Sequence, residues 1–142
     1  MTSYAYLPLF VYGTLLSGQP AFGRLAAAVE RRLPGQLAGF ALYSMGEYPI
    51  AAPGTGLLQG EIYWLRREGY RQQLTSLEEY EGADYRRERA LAQPVAQPGK
   101  TLAVWLFVGQ QAQVAHLPLI PHGDWRLWLR QTAQPPNEEQ SG

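Results

Sequence analysis

Cysteine is absent from this 142-residue sequence and lysine nearly so: of 12 basic residues, 11 are arginine and only Lys100 is lysine. Without cysteine there is no disulfide framework, no thiolate nucleophile and no zinc site of the cysteine type, and the redox compartment is left open. Histidine is scarce too. His116 and His122 lie six positions apart in a proline-rich stretch, with Asp124 as the only nearby carboxylate, too few ligands for a metal site. They read as loop residues, and neither metal nor cofactor is expected. No serine sits in a nucleophile elbow, so a Ser-His-Asp arrangement has no support. Neither sign of charge is in excess, with 12 acidic against 12 basic residues. No strong field therefore selects nucleic acid or an anionic membrane. Met1 to Leu9 has no basic n-region and no long apolar run, so neither a signal peptide nor a transmembrane span is expected, and cytoplasmic residence follows by default.

What is present is a globular composition: 46% hydrophobic residues, 17% charged, with 15 glycines and 11 prolines. The length suits one domain able to bury a core unaided. Residues 1–134 are expected to form that domain, and the Pro, Asn, Glu and Gln tail at 135–142 to be mobile.

Leu7 to Tyr12 is a short apolar run ending at Gly13, as in a buried strand that stops at a turn. Pro20 suits the first position of a helix with Phe22, Leu25, Ala26 and Val29 as its apolar face, ended by Pro34 and Gly35. Leu37 to Ser44 reads as a strand bent at Gly39. Gly46 to Gly56, with Pro49 and Pro53, reads as a loop long enough to cover a site. Leu58 to Leu65 reads as a strand with Leu58, Gly60, Ile62 and Trp64 on one face. Tyr85 to Val95 and Thr101 to Gly109 form an antiparallel pair around Gln97-Pro98-Gly99-Lys100, the second strand apolar on both faces as in the middle of a sheet or barrel. Arg86 faces opposite to Arg87 and Arg89 on the first of these strands, which splits the densest basic cluster and suggests a solvated face. Asp124 caps a short last helix anchored by Trp125, Trp128 and Leu129. The pattern is one α+β domain of about five strands, with one helix early and one in the middle.

Glu81 stands out. A helix advances about 100° per residue, so Tyr70, Leu74, Leu77 and Glu81 fall within a sector roughly 60° wide. Glu81 thus lies on the apolar stripe and faces the interior, whereas Glu79 points away and Glu78 sits at the stripe's edge, both as solvated charges. Gly82 is the expected left-handed residue that ends the helix. The negative end of the macrodipole, two nearby glutamates and partial desolvation all push the Glu81 pKa up from about 4.3, as a general base for an amine requires. The alternative is a frayed helix end with Glu81 turned into water.

Tyr12-Gly13-Thr14-Leu15-Leu16-Ser17-Gly18 is a glycine-bearing turn between strand and helix, of the kind that offers successive backbone N–H groups to an anion. Its glycine spacing is like that of a phosphate-binding P-loop, but Gln19 and Pro20 stand where Lys and Ser/Thr are required. A carboxylate-binding loop and an ordinary connector both remain open. Tyr43, Tyr48 and Tyr85 either line a pocket or pack the core.

Taken in order, Phe10-Val11-Tyr12-Gly13-Thr14-Leu15, Tyr48-Pro49, Gly60-Glu61-Ile62-Tyr63, Leu77-Glu78-Glu79-Tyr80-Glu81-Gly82 with Tyr85 and Arg87, and Gly123-Asp124-Trp125 resemble the γ-glutamylcyclotransferase-like family, which includes the AIG2-like proteins. The resemblance spans about residues 9 to 128. It implies a small mixed β-barrel flanked by helices, with a cavity between the Tyr-Gly-Thr-Leu loop and the helix end bearing the glutamate. It also implies cleavage of γ-glutamyl amides without metal or cofactor, the substrate's α-amine closing on its γ-carbonyl to give 5-oxoproline and a free amine. By position, Glu81 would move the proton, the backbone of Gly13, Thr14 and Leu15 would hold the glutamyl moiety, and Tyr12 would support that loop. Tyr48 and Tyr85 would complete the substrate site. This sequence departs from the family in the strand Ala103 to Val108, where Trp105 or Phe107 stands in for a central tyrosine. A non-catalytic barrel that binds a small carboxylate, and an amide hydrolase using Glu81 to activate water, are the competing readings. Neither the leaving amine nor the oligomeric state is legible.

Overall fold

The computed structural model describes residues 3–133. Its elements, in chain order, are β1 (Leu9–Val11), β2 (Val29–Ser44), β3 (Pro49–Leu65), α1 (Tyr70–Glu81), β4 (Arg86–Pro94), β5 (Leu102–Val108), α2 (Gln111–Val114), β6 (Leu119–Ile120) and α3 (Trp125–Thr132). The strands follow one another as β3-β1-β5-β4-β2, and β2 also pairs with β3, which closes five strands into a mixed barrel. β6 adds to β2 through Leu42 and Tyr43. The β1–β5 pairing, Leu9 opposite Trp105, is parallel and the other pairings are antiparallel. Closure leaves the long strands few free edges, and it explains why β5 is apolar on both faces: it lies between β1 and β4 with one face inside the barrel and the other covered. Among the described residues, no helix is long and apolar enough to cross a membrane.

β2 and β3 form one long antiparallel ribbon, running from Val29 opposite Leu65 to Ser44 opposite Pro49. The register slips between Ala38 and Phe40, where Gly39 adopts φ +97°, a bulge that lets the ribbon curl around the core. Here the structure departs from three sequence expectations. Pro34 and Gly35 do not end a unit but sit within β2. The segment Gly46 to Gly56 is mostly strand, and the actual turn covers only Met45 to Tyr48, closed by Met45 N–H donating to Tyr48 O at 2.9 Å. The reason is positional: Pro49 opens its strand and Pro53 lies opposite Phe40 beside the bulge, places where a missing N–H costs little. Finally, Phe22–Arg24 and Ala26–Ala28 are 3₁₀ turns, not an α-helix, and Val29 enters β2. Gly23 and the lack of a capping side chain weaken the helix. Leu25 is nonetheless buried and Phe22 packs edge-on against Tyr63, so the apolar spacing marks real contacts.

α1 ends at Glu81 before Gly82, as expected, and buries Tyr70, Leu74 and Leu77. Gly82 follows with φ +80°, its N–H donating to Glu78 O at 3.0 Å. Glu78 is not simply solvated: its Oε2 lies 3.0 Å from Nε of Arg87. The Arg87 side chain is only 4% exposed and stacks on Trp105 at 4.3 Å, so the face expected to be solvated is partly built into the core. On β3, Leu58 and Ile62 are fully buried while Trp64 is half-buried beneath Arg31.

At α3, Asp124 Oδ1 accepts from Leu127 N–H at 3.0 Å and Trp125 is buried. Asp124→Ala removes this cap and is expected to lower the unfolding free energy by about 1 kcal/mol. A urea titration should show the midpoint falling with an unchanged slope. The tail at 135–142 lies outside the described residues.

Candidate active site

Glu81 is the last residue of α1, and its place on the Tyr70-Leu74-Leu77 stripe turns it toward the barrel rather than into water. It lines a cleft of about 840 Å³ bounded by the turn after β1, the end of α1 and the Met45–Pro49 segment. The same cleft is lined by Tyr12, Gly13, Thr14, Leu15, Tyr48 and Tyr85, whereas Tyr43 is not among its lining residues and packs against Ile50, Ala52 and Val114. Burial alone raises the Glu81 pKa, to about 7. Among the described residues, no group hydrogen-bonds to its carboxylate. Of the three causes anticipated from sequence, desolvation accounts for the shift, and Glu78 is drawn off by Arg87.

The turn after β1 supplies donors. Among the described residues, the N–H groups of Gly13, Thr14 and Leu15 donate to no protein acceptor, whereas the carbonyls of Gly13 and Thr14 are taken by Leu16 N–H at 3.0 Å and Ala21 N–H at 2.9 Å. The donors of this turn are thus free while its acceptors close it upon itself. Gly13 presses against Pro49: a Cβ there would lie 2.7 Å from Pro49 Cγ. Thr14 Oγ1 and Tyr80 OH are 3.1 Å apart, tying the turn to the helix that carries Glu81. Arg24 stacks over the Tyr80 ring at 4.1 Å.

Two phenols face Glu81. Tyr12 is buried, donates to Phe107 O and accepts from Ala51 N–H at 3.2 Å, which fixes the root of the turn to β5 and β3. Its pKa is raised first by burial and then by the charge of Glu81. Tyr85 donates to Pro49 O at 2.8 Å, and its pKa is raised by burial and by Glu81 in the same order. Both stay neutral and add no charge to the cleft. Tyr48 is 41% exposed at the rim, with Glu47 and Asp84. Phe107 lines the cleft and Trp105 does not: the indole N–H of Trp105 donates to Ala5 O at 2.9 Å on the outside of the barrel. Among the described residues, no cluster of metal-ligating side chains is present. Met45, Glu47, Tyr80 and Asp84 line the cleft without being found by sequence reasoning, and Tyr80 is the one that bonds to the turn. Its position one residue before Glu81, about 100° around the helix and at the margin of the apolar stripe, is the signal that could have found it.

Residues 9–127 match the family model described as γ-glutamyl cyclotransferase, AIG2-like. The chain is 32% identical over 119 residues to the γ-glutamylcyclotransferase family protein YtfP of Escherichia coli, covering 82% of this chain and 94% of that one. It is 31% identical over 119 residues to the γ-glutamylcyclotransferase family protein ytfP of Citrobacter rodentium, covering 82% and 93%. The crystal structure of an AIG2-like protein from Mus musculus superposes with a TM-score of 0.67 at 25% identity, over 84% of this chain and 87% of that one. With a closed mixed barrel and a match running through nearly all of it, this chain belongs to the γ-glutamyl cyclotransferase, AIG2-like family.

Proposed function

We propose that the protein cleaves γ-glutamyl amides to 5-oxoproline and a free amine. The observation that carries this reading is a single cleft holding a carboxylate with a pKa of about 7 and three backbone N–H donors that meet no acceptor among the described residues. A mere carboxylate binder has no use for such a base. A carboxyl group poised near neutrality can take a proton from the substrate's α-ammonium and give it up again, which an ordinary glutamate does poorly.

The steps balance. Glu81 removes one proton from the α-ammonium, and the freed amine attacks the γ-carbonyl within the same molecule. Ring closure of this kind gains a large proximity advantage, so the protein need only fold the substrate, move a proton and stabilise the oxyanion. The tetrahedral centre collapses as Glu81 returns its proton to the leaving nitrogen. The C–N amide bond breaks and the lactam closes; of the two protons left on the attacking nitrogen, one stays as the lactam N–H and the other leaves with the amine, which departs as its ammonium. The N–H groups of Gly13, Thr14 and Leu15 hold the glutamyl moiety, Tyr12 supports their turn, and Tyr48 and Tyr85 flank the substrate. Cytoplasmic residence fits a small-molecule substrate of this class.

Incubation with a panel of γ-glutamyl amines and dipeptides, with 5-oxoproline monitored, tests the reading. Product is expected with at least one member. Glutamate in place of 5-oxoproline would point to hydrolysis, and binding without product to a non-catalytic barrel. For a substrate that turns over, kcat/KM should fall about tenfold per pH unit below a limb near pH 7, where Glu81 takes up its proton. A limb near 4.5 would mean that the base is a carboxylate at its ordinary value, without the shift that burial gives Glu81.

A further inference from the structure

Glu61 has no part in that chemistry, yet it is a carboxylate only 8% exposed. Burying a charge is costly unless it is fully hydrogen-bonded, so its partners say what it is for. It rises from β3 opposite Val11, the last residue of β1 before the turn. Its Oε1 accepts from Ser17 N–H at 2.8 Å and its Oε2 from Ser17 Oγ at 2.9 Å. The Tyr63 hydroxyl stands 2.8 Å from Oε1 and 2.9 Å from Leu15 O, with one proton for the two acceptors. Arg126 of α3 lies 3.5 Å from Oε1 and itself donates to Ser17 O at 2.6 Å and Ser17 Oγ at 3.0 Å. Arg32 Nε stands 3.8 Å from Oε2. Burial works to raise the Glu61 pKa, and the Ser17 N–H, Tyr63 and Ser17 hydroxyls and Arg126 outweigh it, leaving the carboxyl below its usual range.

Leu15 and Ser17 are thus held from behind by side chains of β3 and α3, while the three N–H groups at Gly13, Thr14 and Leu15 point to no protein acceptor among the described residues. The back of the turn is anchored to the barrel and its front is left for a ligand. We propose that Glu61 and Arg126 are positioning residues that fix the Gly13–Leu15 donors in the cleft and bind the C-terminal helix to the same turn. The proposal rests on the reading of those donors as the holders of the glutamyl group.

Glu61→Gln keeps the shape but removes the charge and one acceptor. Arg126→Met removes the guanidinium of a side chain 35% exposed, and so serves if the first variant fails to fold. Amide hydrogen exchange on the full chain is the first readout. Exchange at the hydrogen-bonded amides of Leu16 and Ser17 should quicken at least about tenfold in each folded variant, with the amides of β5 unchanged. Unchanged exchange at Leu16 and Ser17, or an equal rise in β5, would overturn the role, the latter by making these residues supports of the whole fold. Where a substrate turns over, KM should rise about tenfold while the low-pH limb set by Glu81 stays in place; an unchanged KM would likewise overturn it. If the wild type forms no 5-oxoproline from any substrate, the proposed reaction falls, and the exchange measurement still decides whether Glu61 and Arg126 anchor the turn.

Discussion

Glu81→Gln is expected to lose about 10²- to 10⁴-fold in 5-oxoproline formation and at the same time to make the protein more stable at pH 8. The loss follows because the amide is nearly isosteric with the carboxylate but cannot accept the ammonium proton. The gain follows from linkage. The unfolded chain releases the Glu81 proton near its ordinary 4.5, whereas the folded chain holds it to about 7. Between those values the folded state binds more protons than the unfolded one, so stability falls as pH rises through the window and stays low above it. A shift of this size corresponds to at most about 3 kcal/mol, and water at the mouth of the cleft reduces it to roughly 1–2 kcal/mol. The variant's amide is neutral at every pH and brings no such penalty. Denaturant titrations of the two proteins should therefore differ at pH 8 and converge below about pH 4.5. Full activity in the variant would remove Glu81 from the proton transfer. Equal stability at pH 8 would mean that the carboxylate is better solvated than its place beneath the cleft implies.

The parts of this molecule that are legible from sequence are those whose pattern is local. Tyr70, Leu74 and Leu77 repeat at helical spacing and Gly82 follows, so α1 and the inward aim of Glu81 can be read directly from angles around a helix. The run Leu102–Val108 is apolar throughout and short, which marks a central strand. What escapes is decided at long range. Pro34, Gly35, Pro49 and Pro53 look like breakers along the chain, but each sits where the β2–β3 ribbon starts, bulges or meets another strand, and only the pairing partner reveals this. Phe22 to Ala28 has a helix's apolar spacing, and the pull of Val29 into β2 wins. Arg87 reads as a surface charge because its partners Glu78 and Trp105 come from α1 and β5. The same limit applies to the cleft: Glu81 carries its own signal, while the bond between Thr14 and Tyr80 and the anchoring of Ser17 by Glu61 and Arg126 join residues 44 to 109 positions apart.

Gly13→Ala is the substitution expected to do most damage to the site without touching the base. Gly13 has no positive φ, so its backbone conformation is open to alanine and the entire effect must come from contact. The added Cβ would meet Pro49 at 2.7 Å from Cγ and 2.9 Å from Cδ. A proline ring has no rotamer through which to swing clear. Pro49 is held besides, opening β3 opposite Ser44 and accepting the Tyr85 hydroxyl at 2.8 Å through its carbonyl. The turn must therefore move instead, by about an ångström, carrying the Gly13, Thr14 and Leu15 N–H groups and stretching the bond to Tyr80. A displacement of that order costs about 10²-fold in rate, and overpacking costs about 1–3 kcal/mol in stability. The cause can be isolated because it involves a single neighbour. Pro49→Ala removes both clashing carbons, so Gly13→Ala combined with Pro49→Ala should recover much of the rate that Gly13→Ala alone loses, with the Glu81 limb near pH 7 intact in both. Additive losses in the double variant would show that the turn needs glycine for some reason other than its packing on Pro49.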